Sequence, residues 1–255
     1  MLAPAPPEIL RPHGRGGVLI LCDHASNHIP PALADLGLAP EALARHIGHD
    51  IGAAAVTRRL SALLDAPAIL ATVSRLVIDL NRAPEAEDAI PDHSDGVVIP
   101  GNRELDAAAR QARIDAFFTP YHAACERQLA AMRARGERPL VIGLHSFTPE
   151  MNGTPRPWPI GFLYNRDPRL FRAMRPLLEA DYGLAVGDNE PYSGTELYYS
   201  MHRHGEAHGL VQATIEIRQD LITDAAGQAR WAAILADCLQ RVLGRSAGRN
   251  GLRTD

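Results

Sequence analysis

The run Val18-Leu19-Ile20-Leu21-Cys22 breaks off directly into Asp23-His24-Ala25-Ser26-Asn27-His28, so an apolar stretch gives way to metal-capable and hydrogen-bonding side chains. A continuous apolar run rich in β-branched residues reads as a strand buried on both faces. In open α/β sheets, ligands gather beyond the carboxyl ends of such strands. The same pattern recurs at Leu140-Val141-Ile142-Gly143-Leu144-His145-Ser146. Two buried strands that each end in a histidine most simply serve one shared site, and a zinc site is the simplest of those.

The remaining pattern alternates strands with helices. A helical stripe of Ile51, Ala55, Leu60, Leu63 and Leu64 predicts a helix over Leu43–Leu64, and Ala68–Val73 reads as a strand. Leu76–Leu80 reads as an extended piece, and Ala83–Asn102, with its repeated Pro, Asp and Gly, as a long loop placed like a lid. Glu104–Arg135 is the longest helical pattern, interrupted by Pro120 and stopped by Gly136. Strands follow at Ile160–Tyr164, Leu184–Val186 and Leu210–Ile217, with helices over Pro168–Tyr182, Glu196–His204 and Ala229–Leu243. The alternation predicts an α/β domain over residues 17–243, with helices on both sheet faces, between a Pro/Gly/Arg-rich lead (1–16) and a polar tail (244–255) expected to be flexible.

Composition narrows the function classes. With 255 residues, 46% of them hydrophobic, the chain can bury a large core, and a formal net charge of −4 offers no basic field for nucleic acid or an anionic membrane. All 26 Lys+Arg residues are arginine, which fits a GC-rich genome. The three cysteines, Cys22, Cys125 and Cys238, are widely spaced, so reduced thiols are expected rather than a disulfide framework. The lead has no apolar core of a secretory signal, and no apolar run approaches membrane-spanning length. A cytoplasmic enzyme acting on a small molecule is the expectation; the sequence leaves its oligomeric state open.

For the metal, His24 and His145 stand on rigid strand ends, and a carboxylate should complete the set. Asp50, in His46-Ile47-Gly48-His49-Asp50, is the choice, with helix capping as its bland alternative and His49 as a competing ligand. His28, just before Ile29-Pro30, belongs to a loop, and His202, His204 and His208 lack zinc-motif spacing and read as a substrate-side loop. Ser74-Arg75-Leu76-Val77-Ile78-Asp79-Leu80-Asn81-Arg82 offers two guanidinium forks suited to carboxylates, unless Arg75 simply pairs with Asp79. Glu216 interrupts a strand of Ile and Thr. A buried carboxylate is costly unless it is paired or linked to a metal, so a base working beside zinc is the sharper reading, and pairing with Arg218 the bland one.

In chain order, Cys22-Asp23-His24-Ala25-Ser26-Asn27-His28-Ile29-Pro30, His46-Ile47-Gly48-His49-Asp50-Ile51-Gly52, the Ser74–Arg82 segment, Pro120-Tyr121-His122, Val141–Phe147 and Ile215–Leu221 resemble the N-formylglutamate amidohydrolase family over roughly residues 17 to 240. The Ser74–Arg82 and Gly143–Phe147 segments are the specific parts. The resemblance implies a zinc-carboxypeptidase-like, phosphorylase/hydrolase-like fold: three α/β/α layers around a central mixed sheet. It also implies hydrolysis of N-formyl-L-glutamate to formate and L-glutamate, a late step of histidine degradation. Zinc carboxypeptidases carry a glutamate three residues after the first histidine; here that position is Asn27, a poor ligand, and Asp50 suits the family's own pattern instead. The family's best-known members also continue the first histidine as Ser-Gly, where this chain has Ala25-Ser26.

On this reading zinc held by His24, Asp50 and His145 lowers the pKa of its water toward ~7. Glu216 takes the proton and returns it to the leaving nitrogen, while Arg75 helps stabilise the oxyanion. Asn81 and Arg82 would hold a substrate carboxylate, with Tyr192, Ser193, Gly194 and Thr195 completing the pocket. The alternatives are a deacylase of another N-acyl amino acid or small peptide, separable by a substrate panel, and a non-catalytic metal-dependent binding protein, which would bind zinc without turnover.

Overall fold

In the computed structural model, residues 2–248 are described, with side chains through residue 244. The chain runs β1 (Glu8–Leu10), β2 (Val18–Cys22), α1 (Pro40–Leu43), α2 (Ala53–Leu64), β3 (Ala68–Leu70), and a small hairpin of β4 (His93–Ser94) and β5 (Val97–Val98). It continues through α3 (Ala107–Arg113), α4 (Thr119–Ala134), β6 (Leu140–Phe147), a second hairpin of β7 (Glu150–Met151) and β8 (Thr154–Pro155), and β9 (Ile160–Leu163). Last come α5 (Arg169–Tyr182), β10 (Val186–Asp188), α6 (Tyr199–His204), β11 (Gln212–Arg218) and α7 (Ala225–Gly248).

Seven strands form one mixed sheet in the order β1-β3-β2-β6-β11-β9-β10. Its centre, β2-β6-β11, is parallel, while β1 and β9 pair antiparallel with β3 and β11. Alternation along the strands sorts side chains to two helical layers. Val18, Ile20, Ile142 and Ile215 pack with α2, α5 and α7, through Leu60, Leu178 and Trp231. Leu19, Leu21 and Val141 pack on the opposite face with α4, through Tyr121, Leu129 and Met132. The three-layer α/β architecture expected above is therefore the one observed.

Several boundaries differ, each for a local reason. The helix expected over Leu43–Leu64 begins only at Ala53, because α1 ends at Leu43 and the chain then turns as far as Gly52 (φ 80°), where a Cβ would lie 2.2 Å from the Ile222 carbonyl oxygen. Leu76–Leu80 is not a strand: Val77 N–H donates to the Ser74 carbonyl, and the resulting turn sets Arg75 beside Asp79. The long helix is continuous from Ala107 to Ala134 but opens into a π-helical turn, Ile114–Phe118, just before Pro120, which has no N–H to give. Within the Pro-rich lead, β1 adds an edge strand to the sheet. The closing helix runs past Leu243 to Gly248, and the rest of the expected tail, 249–255, lies outside the described residues.

Candidate active site

The three central strands bring the chemistry together at their carboxyl ends. His145 is the sixth residue of β6 and stands in register with Glu216 of β11, so both project from the same face, one strand spacing apart. Asp23 and His24 follow directly on β2. Asp50 reaches them from the turn before α2, where its N–H donates to the His24 carbonyl at 3.0 Å.

Around Asp50 the geometry is convergent. His145 Nδ1 lies 2.9 Å and His24 Nδ1 3.4 Å from the same oxygen, Asp50 Oδ2. One ligand atom from each of the three residues fits within a 4.8 Å span. Four-coordinate zinc with bonds of about 2.0–2.2 Å holds its ligand atoms about 3.3–3.6 Å apart, a spacing that the separations of these donors bracket, so the group could hold a divalent ion. The opposite nitrogens are tethered by separate carboxylates: His24 Nε2 by Asp79 at 2.8 Å, and His145 Nε2 by Asp23 at 3.4 Å. Tyr121 Oη in turn donates to Asp23 at 2.5 Å. A carboxylate behind each imidazole fixes its tautomer and leaves Nδ1 facing the common centre. Beyond its 3.4 Å approach to Asp50, buried His24 Nδ1 makes no well-aligned hydrogen bond among the described residues, as expected of a nitrogen available to a ligand.

Electrostatics follow from the same arrangement. Burial alone would lower the His145 imidazole, but the Asp23 and Asp50 carboxylates outweigh it and hold it well above its usual range. Burial would raise Asp50, yet His24 and His145 keep it well below the ordinary carboxylate value. Glu216 is the exception. Burial pushes it up to about 7, His145 only partly offsets this, and its Oε2 has no hydrogen-bond partner among the described residues. A desolvated carboxylate without an ion pair, poised near neutrality beside a metal-type donor set, suits general-base work.

These groups line a cavity of about 410 Å³ together with His46, Arg75, Asn81, Arg82 and Tyr192. Arg75 bridges Asp79 at 3.0 Å and Asp50 at 3.4 Å, so its pairing with Asp79 is real and it still faces the cavity. Asn81 is held by Ser200 N–H donating to its Oδ1, and Arg82 pairs with Asp88 at 3.1 Å. Gly194 and Thr195 line a neighbouring cavity that shares Asn81 and Arg82, while Ser193 bonds Thr195 and lines neither. His49 lies outside the donor set, and exposed Asn27 bonds the Leu43 carbonyl at a distance from it. His28 is exposed. Of the later histidines, His202 bonds Glu206 at the second cavity, His204 is buried against His122, and His208 bonds Arg133. The expected lid contributes Ser94 and Asp95 from the β4–β5 hairpin, and Glu150, Met151 and Asn152 face the cavity from the β7–β8 hairpin.

The tethering residues Asp23, Asp79 and Tyr121 escaped sequence reasoning as working parts. The signal for them is adjacency: Asp23 precedes a ligand, and Tyr121 sits in the Pro120-Tyr121-His122 element.

A family model described as N-formylglutamate amidohydrolase matches residues 16–223. Among solved structures, gene product Atu2144 from Agrobacterium tumefaciens is 36% identical, with a TM-score of 0.91 over 94% of this chain and 95% of that one. The N-formylglutamate amidohydrolase from Ralstonia eutropha JMP134 shares the fold at 21% identity, with a TM-score of 0.73 over 94% of this chain and 98% of that one. None of the curated proteins matches the chain.

Proposed function

The chain belongs to the N-formylglutamate amidohydrolase family, and we propose that it is a zinc-dependent enzyme that hydrolyses N-formyl-L-glutamate to formate and L-glutamate, as in histidine degradation. The observation that carries this reading is the convergence of His24 and His145 on Asp50 beside the unpaired Glu216. Two imidazoles and one carboxylate leave a coordination position open, which is the pattern of catalytic rather than structural zinc. When bound there, the ion supplies Lewis-acid polarisation of the amide carbonyl and a lowered water pKa.

The protein's own groups do the rest. Glu216, pushed up to about 7 by burial, accepts a proton from the attacking water and passes it to the departing nitrogen. The water oxygen joins the formyl carbon as the C–N bond breaks, so the products are formate and a free amine. Arg75 lines the same cavity and offers positive charge to the developing oxyanion. Asp79 and Asp23 hold the two imidazoles in orientation, and Asn81 and Arg82 receive the α-carboxylate. Residues 17–243 act as one catalytic unit in this reading.

Metal analysis of the purified protein combined with an N-formylglutamate assay tests it. About one equivalent of zinc, and turnover abolished by a chelator and restored by zinc, are expected. Full turnover by metal-free protein would sink it, and a panel of other N-acyl amino acids would expose a different preferred acyl substrate.

A further inference from the structure

Arg156 follows the β7–β8 hairpin and is only 8% exposed. A guanidinium removed from water is costly unless an anion offsets it. Among the described residues, none of its hydrogen-bond partners carries a charge. Nη1 donates to the Thr148 carbonyl at 3.4 Å, Thr148 Oγ1 at 3.1 Å and Tyr192 Oη at 3.0 Å. Nη2 donates to Met151 Sδ at 2.7 Å, and the guanidinium carbon lies 4.7 Å from the Tyr192 ring centre and 5.9 Å from that of Phe147.

A second buried arginine shows what a purely structural one looks like. Among the described residues Arg113 also pairs with no carboxylate, but it donates to the carbonyls of Val77 and Gly101 and to Asn102 Oδ1 at 2.6–3.0 Å, all strong oxygen acceptors. Arg156 instead spends one nitrogen on a thioether, a weak acceptor, carried by a methionine that is 43% exposed at the cavity wall.

The wall in front of Arg156 is Thr148, Met151 and Tyr192, all of which line the cavity that holds Glu216 and His145. The two arginines lining that cavity are both matched by carboxylates, Arg75 by Asp50 and Asp79, and Arg82 by Asp88. A guanidinium only donates, so Tyr192 Oη accepts from Arg156 and keeps its own proton to offer.

We infer that Arg156 determines specificity: with Tyr192 and Thr148 it binds a second carboxylate, on the substrate's side chain, which displaces the Met151 thioether. The cavity thereby selects acidic N-acyl amino acids over neutral ones. This rests on the proposed deacylation for its kinetic consequence, but the carboxylate subsite is testable by binding alone.

The test measures glutarate and 4-carbamoylbutyrate, its half-amide, by calorimetry on the zinc-loaded protein and on R156Q and R156K. Wild type should favour glutarate by about tenfold or more, the worth of a charge-assisted bidentate contact. R156Q should bring that ratio close to one. R156K, which keeps the charge but loses the planar fork, should fall between. The ratio of kcat/KM for N-formylglutamate over N-formylglutamine should collapse in R156Q, mainly through KM for the acid. An undiminished glutarate preference in R156Q overturns the inference, as does its absence in wild type. If R156Q does not fold, equal weakening of both ligands in R156K overturns it. An Arg156-dependent preference for glutarate without turnover of N-formylglutamate would refute the proposed reaction and leave the subsite standing.

Discussion

Two buried histidine pairs lie within this one protein, and their chemistry diverges completely. His24 and His145 meet edge to face with ring centres 4.9 Å apart, each held between carboxylates. His122 and His204 stack at 5.1 Å, joined by a 2.8 Å Nδ1–Nε2 hydrogen bond, and His122 Nε2 lies 3.0 Å from the Leu80 carbonyl. Burial is similar; the partners differ. Carboxylates lift the first pair above the usual imidazole range, whereas burial takes His122 down to about 3 and His204 to about 4. The second pair is neutral and its partners are another imidazole and a carbonyl, so it fastens α4, α6 and the segment before Asn81. Burial makes a histidine unusual, and only the anions around it make it a candidate ligand.

The largest effect should come from breaking the first pair's centre. Asp50→Asn removes the shared anion, and metal analysis should find the zinc lost and N-formylglutamate turnover gone. Zinc at full occupancy in that variant would contradict the assignment. Glu216→Gln should keep zinc but lower turnover by ~10²-fold or more. In the wild type, activity should fall on the acid side as Glu216, at about 7 without metal, takes up its proton. The nearby cation favours the ionised form, so the measured limb should lie at or below that pH. A pH profile flat down to pH 5 would remove Glu216 from the base role.

Asp79→Asn leaves every ligand in place but loosens the tether on His24. Zinc affinity should drop about 10- to 100-fold with stability little changed, as a competitive chelator titration would show. His204→Gln attacks the second pair and should do the reverse: a stability cost of about 1–3 kcal/mol in denaturant unfolding, with zinc affinity unaltered. The same pair sets an acid dependence. The unfolded imidazoles titrate at 6.5 and the folded ones at about 3 and about 4, so the unfolded chain binds more protons across that window. The pair's contribution is present above pH 6.5 and is lost as pH falls toward 4 and below, and His204→Gln should flatten that slope. An unchanged slope would mean that other groups carry it.

Much of this was legible in the chain because two of the three candidate donors, His24 and His145, end distinct apolar runs. The stretches before His24 and His145 announce buried strands, and the interruption of Ile215 and Ile217 by Glu216 announces a carboxylate with a purpose. The tethers were harder, since Asp79 and Asp23 sit beside working residues in sequence while their task lies in a hydrogen bond to an imidazole elsewhere. Helix periodicity over Leu43–Leu64 overlooked the crowding at Gly52, imposed by Ile222 from far along the chain. Arg156 had no local mark at all, because its environment is assembled from Phe147, Met151 and Tyr192 across two loops.

The central strands β2, β6 and β11 begin at Val18, Leu140 and Gln212, so neighbours in the sheet are distant along the chain. No hairpin and no single βα unit contains two of His24, His145 and Glu216. His24 and Asp50 share the β2–α2 segment, but His145 and Glu216 join them only when the long connections between the central strands have closed, and those closures are the slow, entropically costly ones. A fragment that lacks β6 offers an ion two of the three donors, His24 and Asp50. On the proposed zinc reading, uptake of the ion comes late: its binding energy accrues to the completed sheet and deepens the native basin after topology is settled.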